Sequence, residues 1–133
     1  MTSRYGVASE GLARRAYQRV EAQTTSQGQI LLRLYDGAIR FTHQAEQAIE
    51  AGDPAEKGKY LGKAMAIIDE LITALDHDAA PELCANLEAL YLYFIHQLTV
   101  ANTTMDAAPC REVIAHLTSL RETWEQAVKQ TGG

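Results

Sequence analysis

Residues 89–105 read ALYLYFIHQLTVANTTM, seventeen positions without one Asp, Glu, Lys or Arg in a chain where 22% of residues are charged. A surface helix carries charge on the side that faces water, so a helix built from this stretch is not an ordinary surface helix. At about 100° per residue, Leu87, Leu90, Phe94, Leu98 and Ala101 fall on one stripe, which is the expected core face. Tyr91, Leu92 and Ile95 lie off that stripe, and Leu92 points nearly the opposite way. A second apolar face requires a partner, either from this chain or from another.

Four amphipathic helices follow from the punctuation around this stretch. The first opens after Thr25 and Ser26, whose oxygens can accept from free backbone N–H groups, and closes at Ala51-Gly52. Its expected core stripe is Ile30, Leu34, Phe41, Ala45 and Ala48. Asp53-Pro54 starts the second helix, a capping residue followed by proline at the first helical position, with Leu61, Ala64, Ile68, Leu71, Ile72 and Leu75 apolar. The third runs from about Glu82 to Asn102, after a break at Asp76-His77-Asp78 and Pro81. Asp106 caps the fourth, whose stripe is Val113, Leu117, Leu120, Trp124 and Val128. Short connections make neighbouring helices antiparallel, so the expected fold is an all-α, up-down-up-down four-helix bundle over residues 26–130. A further short helix is expected over Gly11–Ala22, within an N-terminal segment of residues 1–25 that either docks or stays mobile. In this topology Cys84 and Cys110 open successive helices at opposite ends of the bundle, which excludes an intramolecular disulfide.

Composition narrows the function. A length of 133 residues suits one domain with a real core. The net charge of −5 argues against nucleic-acid binding. It is unevenly spread: residues 1–25 carry net +2 and the remainder net −7. The N-terminus lacks the apolar core of a signal peptide, no apolar run reaches membrane-spanning length, and two cysteines without metal or redox spacing fit a reduced cytoplasmic protein. No Glu-x-x-His occurs, so a di-iron bundle site is excluded. Phosphate-cradling loops and nucleophile motifs are missing as well. The expectation is therefore a binding module without catalytic residues, metal or cofactor. Helix one shows the same apolar excess as helix three, in Leu31, Leu32, Tyr35 and Ile39. The expected partner surface comprises Leu31, Leu34, Tyr35 and Ile39 on helix one and Tyr91, Leu92, Ile95 and Leu98 on helix three. Tyr35→Glu or Ile95→Glu is expected to abolish binding while leaving helical content intact. Two other readings stand beside this one: a histidine phosphotransfer domain using His116, and a homodimer that closes helix three against itself.

Six blocks in order carry a family resemblance. Ala16-Tyr17-Gln18, LYDGAIRF at Leu34–Phe41, AIEAGD at Ala48–Asp53, IIDELITALD at Ile67–Asp76, NLEALYLYF at Asn86–Phe94 and SLRETWEQA at Ser119–Ala127 resemble the flagellin-export chaperones of the FliS family. Family members usually carry Pro and Glu where Gln27 and Gln29 stand, an acidic residue at the position of Leu92 and basic residues near Gln97. The resemblance implies an antiparallel helical bundle in the bacterial cytoplasm. It implies that the partner is the disordered C-terminal segment of flagellin, which wraps around the chaperone, is kept from polymerising early and is delivered to an export gate component. It also implies that the N-terminal segment around Tyr17 occupies part of the groove when flagellin is absent.

Overall fold

The computed structural model of the chain describes residues 26–130. They form four helices: α1 (Gln27–Glu50), α2 (Pro54–Thr73), α3 (Pro81–Thr104) and α4 (Ala108–Gln130). The short helix expected over Gly11–Ala22, and with it Tyr17, lies outside the described residues. Each helix end follows local chemistry. The Oγ of Ser26 accepts from the Gln29 N–H at 3.2 Å, which satisfies one of the free donors of the first turn of α1. Gly52, at φ +69°, ends that helix in the left-handed conformation that glycine adopts without a Cβ penalty. Asp53 accepts from the Glu56 N–H at 3.1 Å, and Pro54 occupies the first turn of α2. The carboxylate of Asp76 turns the chain by accepting from the Asp78 and Ala79 N–H groups. Met105 closes α3 in the left-handed conformation at φ 56°, and Asp106 accepts from the Ala108 N–H at 3.0 Å at the entry to α4.

The helices belong to two compact units, residues 26–33 with 123–130 and Leu34–Glu122. In the first, the start of α1 runs against the end of α4, so close that a Cβ on Gly28 would lie 2.6 Å from a Val128 methyl. The second contains all four helices as an antiparallel up-down bundle. Gly37 of α1 receives the Ile67 side chain of α2, and Phe41 stacks on Tyr60. Met65 of α2 meets Thr99 of α3. Tyr93 and Gln97 of α3 bond to Glu112 of α4. Arg111 and Arg121 of α4 return to Glu46, Glu50 and Asp36 of α1.

Buried side chains recur at alternating steps of three and four: Tyr35, Ala38, Thr42, Ala45 and Ile49 on α1; Leu61, Ala64, Ile68 and Leu71 on α2; Cys84, Leu87, Tyr91, Phe94, Leu98 and Ala101 on α3; Cys110, Val113 and Leu117 on α4. That spacing gives bundle crossings of about 20°. The diagonal helices α1 and α3 run parallel. Their register is marked by the hydroxyls of Tyr35 and Tyr91, which hydrogen-bond at 2.6 Å. One turn further on, the buried side of α1 carries the small residues Ala38 and Thr42 and that of α3 the large residues Phe94 and Leu98, a complementary choice of sizes. The buried hydroxyl of Thr42 donates to the Ala38 carbonyl at 2.7 Å.

This core corrects the expected helical rotation. Tyr35, expected on the outer face of α1, is 0% exposed, and Ile30, expected inside, is 46% exposed. Leu34 and Phe41 are half-buried flanking residues. On α3, Tyr91 replaces Leu90 on the buried stripe. The physical reason is the tyrosine pair: each ring is apolar, and each polar tip finds its partner inside. Both cysteines are free and buried. The Cys84 thiol donates to the Asp76 carbonyl, and burial pushes the Cys110 thiol up to about 11, which keeps it protonated and unreactive.

Candidate functional site

Of the side chains expected to face a partner, those in the larger unit do not form one surface. Tyr35, Tyr91 and Leu98 belong to the core. Tyr35→Glu would place a carboxylate in that core and unfold the protein, so it cannot serve as a surface probe. Leu31 is half-buried in the smaller unit. In the bundle, Leu34 shares the α2 side of α1 with Gly37 and Phe41, whereas Ile39 shares the α4 side with Asp36 and Glu46. Leu34 and Ile39, both expected on the partner surface, therefore lie on two flanks of the helix and not on one face. Only Leu92 and Ile95 are brought together outside the core. Tyr17 lies outside the described residues.

Leu92, Ile95 and Thr99 follow one another at steps of three and four, so they share the side of α3 that faces α2. Leu92 is 53% exposed and Ile95 is half-buried. The Thr99 hydroxyl touches the Met65 Sδ at 3.9 Å, and Met65 shares its side of α2 with Gly58, Gly62, Asp69 and Ile72. Met65 and Ile72 are half-buried. At Gly58 and Gly62 the space a Cβ would enter is open. The result is an apolar strip along the α2–α3 edge, with Leu92 and Ile95 on one wall and Met65 and Ile72 on the other. It ends at Glu88, which pairs with His77 at 3.6 Å. The sequence reading missed the α2 wall because Ile72 matched the core stripe and Met65 stood alone beside it. The detectable signal was the pair of glycines four apart on a helix that otherwise holds good helix formers, since each glycine costs about 1 kcal/mol relative to alanine.

The opposite edge of α3 is polar. Tyr93, 40% exposed, donates to Glu112 at 2.6 Å, and the Gln97 amide donates to the other carboxylate oxygen at 2.7 Å. These bonds, led by the one from Tyr93, hold the Glu112 carboxyl below its ordinary range and raise the Tyr93 phenol. The folded value of Glu112 lies below the unfolded one, so its contribution is complete above the usual carboxylate value of about 4.3 and fades as pH falls through the folded value. Glu112→Gln is accordingly expected to lower the urea midpoint at pH 7, and this difference from the wild type is expected to shrink progressively as the pH is taken below the usual carboxylate value. A difference that does not change with pH would show that the charge is irrelevant. His116 completes the cluster: its ring stacks on Phe94 at 5.8 Å, and its Nε2 lies 3.7 Å from Glu112. A carboxylate at that nitrogen repels an incoming phosphoryl group, which counts against phosphotransfer.

Among the described residues, no group of three or more His, Cys, Asp or Glu is placed to hold a metal ion. Among them, too, no helix is long and apolar enough to cross a membrane. The site thus consists of an apolar strip, a polar clasp and the tyrosine pair beneath them. Comparison with known proteins assigns this architecture to a family. The family model described as flagellar protein FliS matches residues 10–131. The flagellar secretion chaperone FliS of Bacillus subtilis (strain 168) is 37% identical over 114 residues, covering 86% of this chain and 84% of the relative. The FliS of Salmonella typhimurium is 36% identical over 117 residues, covering 84% and 87%. The chaperone FliSB of Pseudomonas aeruginosa is 37% identical over 117 residues, covering 85% and 93%. With a match that runs through all four helices of the bundle, the chain belongs to the FliS family of flagellar proteins.

Proposed function

We propose that this chain is a cytoplasmic, non-enzymatic export chaperone that binds the disordered C-terminal segment of flagellin, prevents its premature polymerisation and delivers it to the flagellar export gate. Within a family whose relatives are named flagellar secretion chaperones, the observation that carries this reading is the apolar α2–α3 strip. Leu92 and Ile95 stand on a helix with no charged side chain from Ala89 to Met105, opposite Met65 and Ile72.

A strip between two antiparallel helices takes an amphipathic helix, which presents anchors at i, i+3, i+4 and i+7. The bare backbone at Gly58 and Gly62 lets such a helix approach closely at one end. Each large anchor buried contributes roughly 1.5–3 kcal/mol, and ordering a disordered ligand consumes about 2–5 kcal/mol of the total. Several anchors are therefore needed, and a segment that wraps further along the bundle can also use Ile39 on the α4 flank of α1.

The test is calorimetric titration of the full chain with a flagellin C-terminal peptide. Saturable one-to-one binding with a negative heat-capacity change is expected, accompanied by a gain of helix in the peptide. No binding, or equal binding of a scrambled peptide, would overturn the assignment. A mass that rises with protein concentration in the absence of peptide would instead favour the homodimer.

A further inference from the structure

On the neighbouring face of the bundle, where α1 meets α2, the rings of Phe41 and Tyr60 stack at 6.1 Å and 22°. Three cations cover them: Arg40 lies 4.8 Å and Lys63 5.5 Å from the Phe41 ring centre, and Lys59 lies 5.1 Å from that of Tyr60. Among the described residues, none of the three has a carboxylate within ion-pair distance. Arg111 and Arg121, on the α1–α4 face, are both paired with acids. A chain of net charge −5 thus concentrates unpaired positive charge at one place and holds it over aromatic surface. A cleft beside the patch is lined by Gln44, Gln47 and Tyr60 together with the acids Asp53 and Glu56, so an acidic segment would seat over the cations and not in the cleft. Within it the Oε1 of Gln44 is buried with no hydrogen-bond donor among the described residues.

We propose that this α1–α2 face is a second docking surface, and that its occupant is an acidic peptide segment of a partner protein, distinct from the apolar segment held by the α2–α3 strip. Lys59 and Lys63 stand one helical turn apart, about 5–6 Å between Cβ atoms, a spacing matched by carboxylates four residues apart on a helical peptide. The stacked rings supply apolar contact between the charges. Charge excludes the chain's own N-terminal segment from this role, because residues 1–25 carry net +2. The overall negative field disfavours long polyanions such as nucleic acid, whereas a short acidic segment feels mainly the local cations.

The experiment titrates the isotope-labelled full chain with a helical peptide carrying Glu at every fourth position between Leu and Trp, and with its Lys-for-Glu counterpart. The acidic peptide is expected to shift amides of residues 37–63, to weaken as salt rises from about 0.05 to 0.5 M, and to lose about tenfold or more in affinity to the triple variant Arg40→Glu/Lys59→Glu/Lys63→Glu. That variant should keep the wild-type thermal midpoint, since all three side chains are exposed. It should also bind the flagellin C-terminal peptide as the wild type does, whether or not that peptide proves to be the physiological ligand. Equal binding of both peptides, unchanged binding by the triple variant, or stronger competition by a short RNA than by the acidic peptide would each overturn the proposal. Loss of the flagellin peptide together with the acidic one would also overturn it, by making this face part of the first site.

Discussion

Replacing Tyr91 by alanine is expected to destabilise the chain by about 3–5 kcal/mol and to lower its thermal midpoint by roughly 10–20 °C. The side chain is 1% exposed, lies edge-on to Tyr35 with ring centres 6.5 Å apart and contacts Phe94 at 6.3 Å. Truncation empties the centre of the bundle, where no neighbour can collapse without moving a helix. Domains of this size have total stabilities of only about 5–15 kcal/mol, so this change removes a large share. Burial, reinforced by the bond to Tyr35, raises the Tyr91 phenol far above its ordinary value, so the pair stays neutral and acts as a plain hydrogen bond. Tyr35→Phe removes one partner and strands the Tyr91 hydroxyl in the core, which costs about 1–3 kcal/mol. Adding Tyr91→Phe removes the stranded group, so the double variant should be more stable than the single one. Urea unfolding of Tyr35→Phe, Tyr91→Phe and the double variant checks this. If the two Tyr→Phe losses simply add, the hydroxyls are not coupled.

That pair also marks the limit of what the amino-acid order reveals. Helix ends were legible because each depends on neighbours in sequence: Ser26 with Gln29, Gly52 at its left-handed φ, Asp53 with Pro54 and Asp106 with Ala108. The four-helix architecture followed from those ends and from the apolar spacing. The rotation of α1 and α3 about their own axes did not. The stripe with Leu90 and the stripe with Tyr91 differ by one residue, and a tyrosine counts as half polar in any periodicity argument. What turns Tyr91 inward is Tyr35, 56 positions earlier, and that meeting exists only once the diagonal helices run parallel. The same error put Tyr35 on an outer face of α1 that the core in fact takes, and grouped Leu34 with Ile39 although they lie on two flanks. Leu92 was readable because it lies so far from either stripe that a rotation of this size leaves it outside. The α2 wall of the strip was not, since half-buried residues such as Met65 and Ile72 satisfy a core pattern and a groove pattern equally well.

Leu92→Glu combined with Ile95→Glu is expected to weaken binding of the flagellin C-terminal peptide by at least about a hundredfold. The estimate rests on two lost anchors at roughly 1.5–3 kcal/mol each, with every 1.4 kcal/mol worth about a factor of ten. Carboxylates facing an apolar ligand would add a desolvation penalty in the same direction. Leu92 should dominate the binding loss with little cost to the fold, because it is 53% exposed. Ile95, being half-buried, will lower the urea midpoint as well, so the single Leu92→Glu variant separates binding from folding. Leu83→Glu provides the control: that leucine is 50% exposed on the same helix, but it stands at the helix start and on the side away from α2. Charge at Leu83 should leave the peptide's affinity near the wild-type value if the strip is the seat, whereas equal losses from Leu83 and Leu92 would mean that any added charge on α3 disturbs binding. Retention of wild-type affinity by the Leu92/Ile95 pair would remove the strip from the binding surface and leave the uncharged run of α3 without the partner that its composition demands.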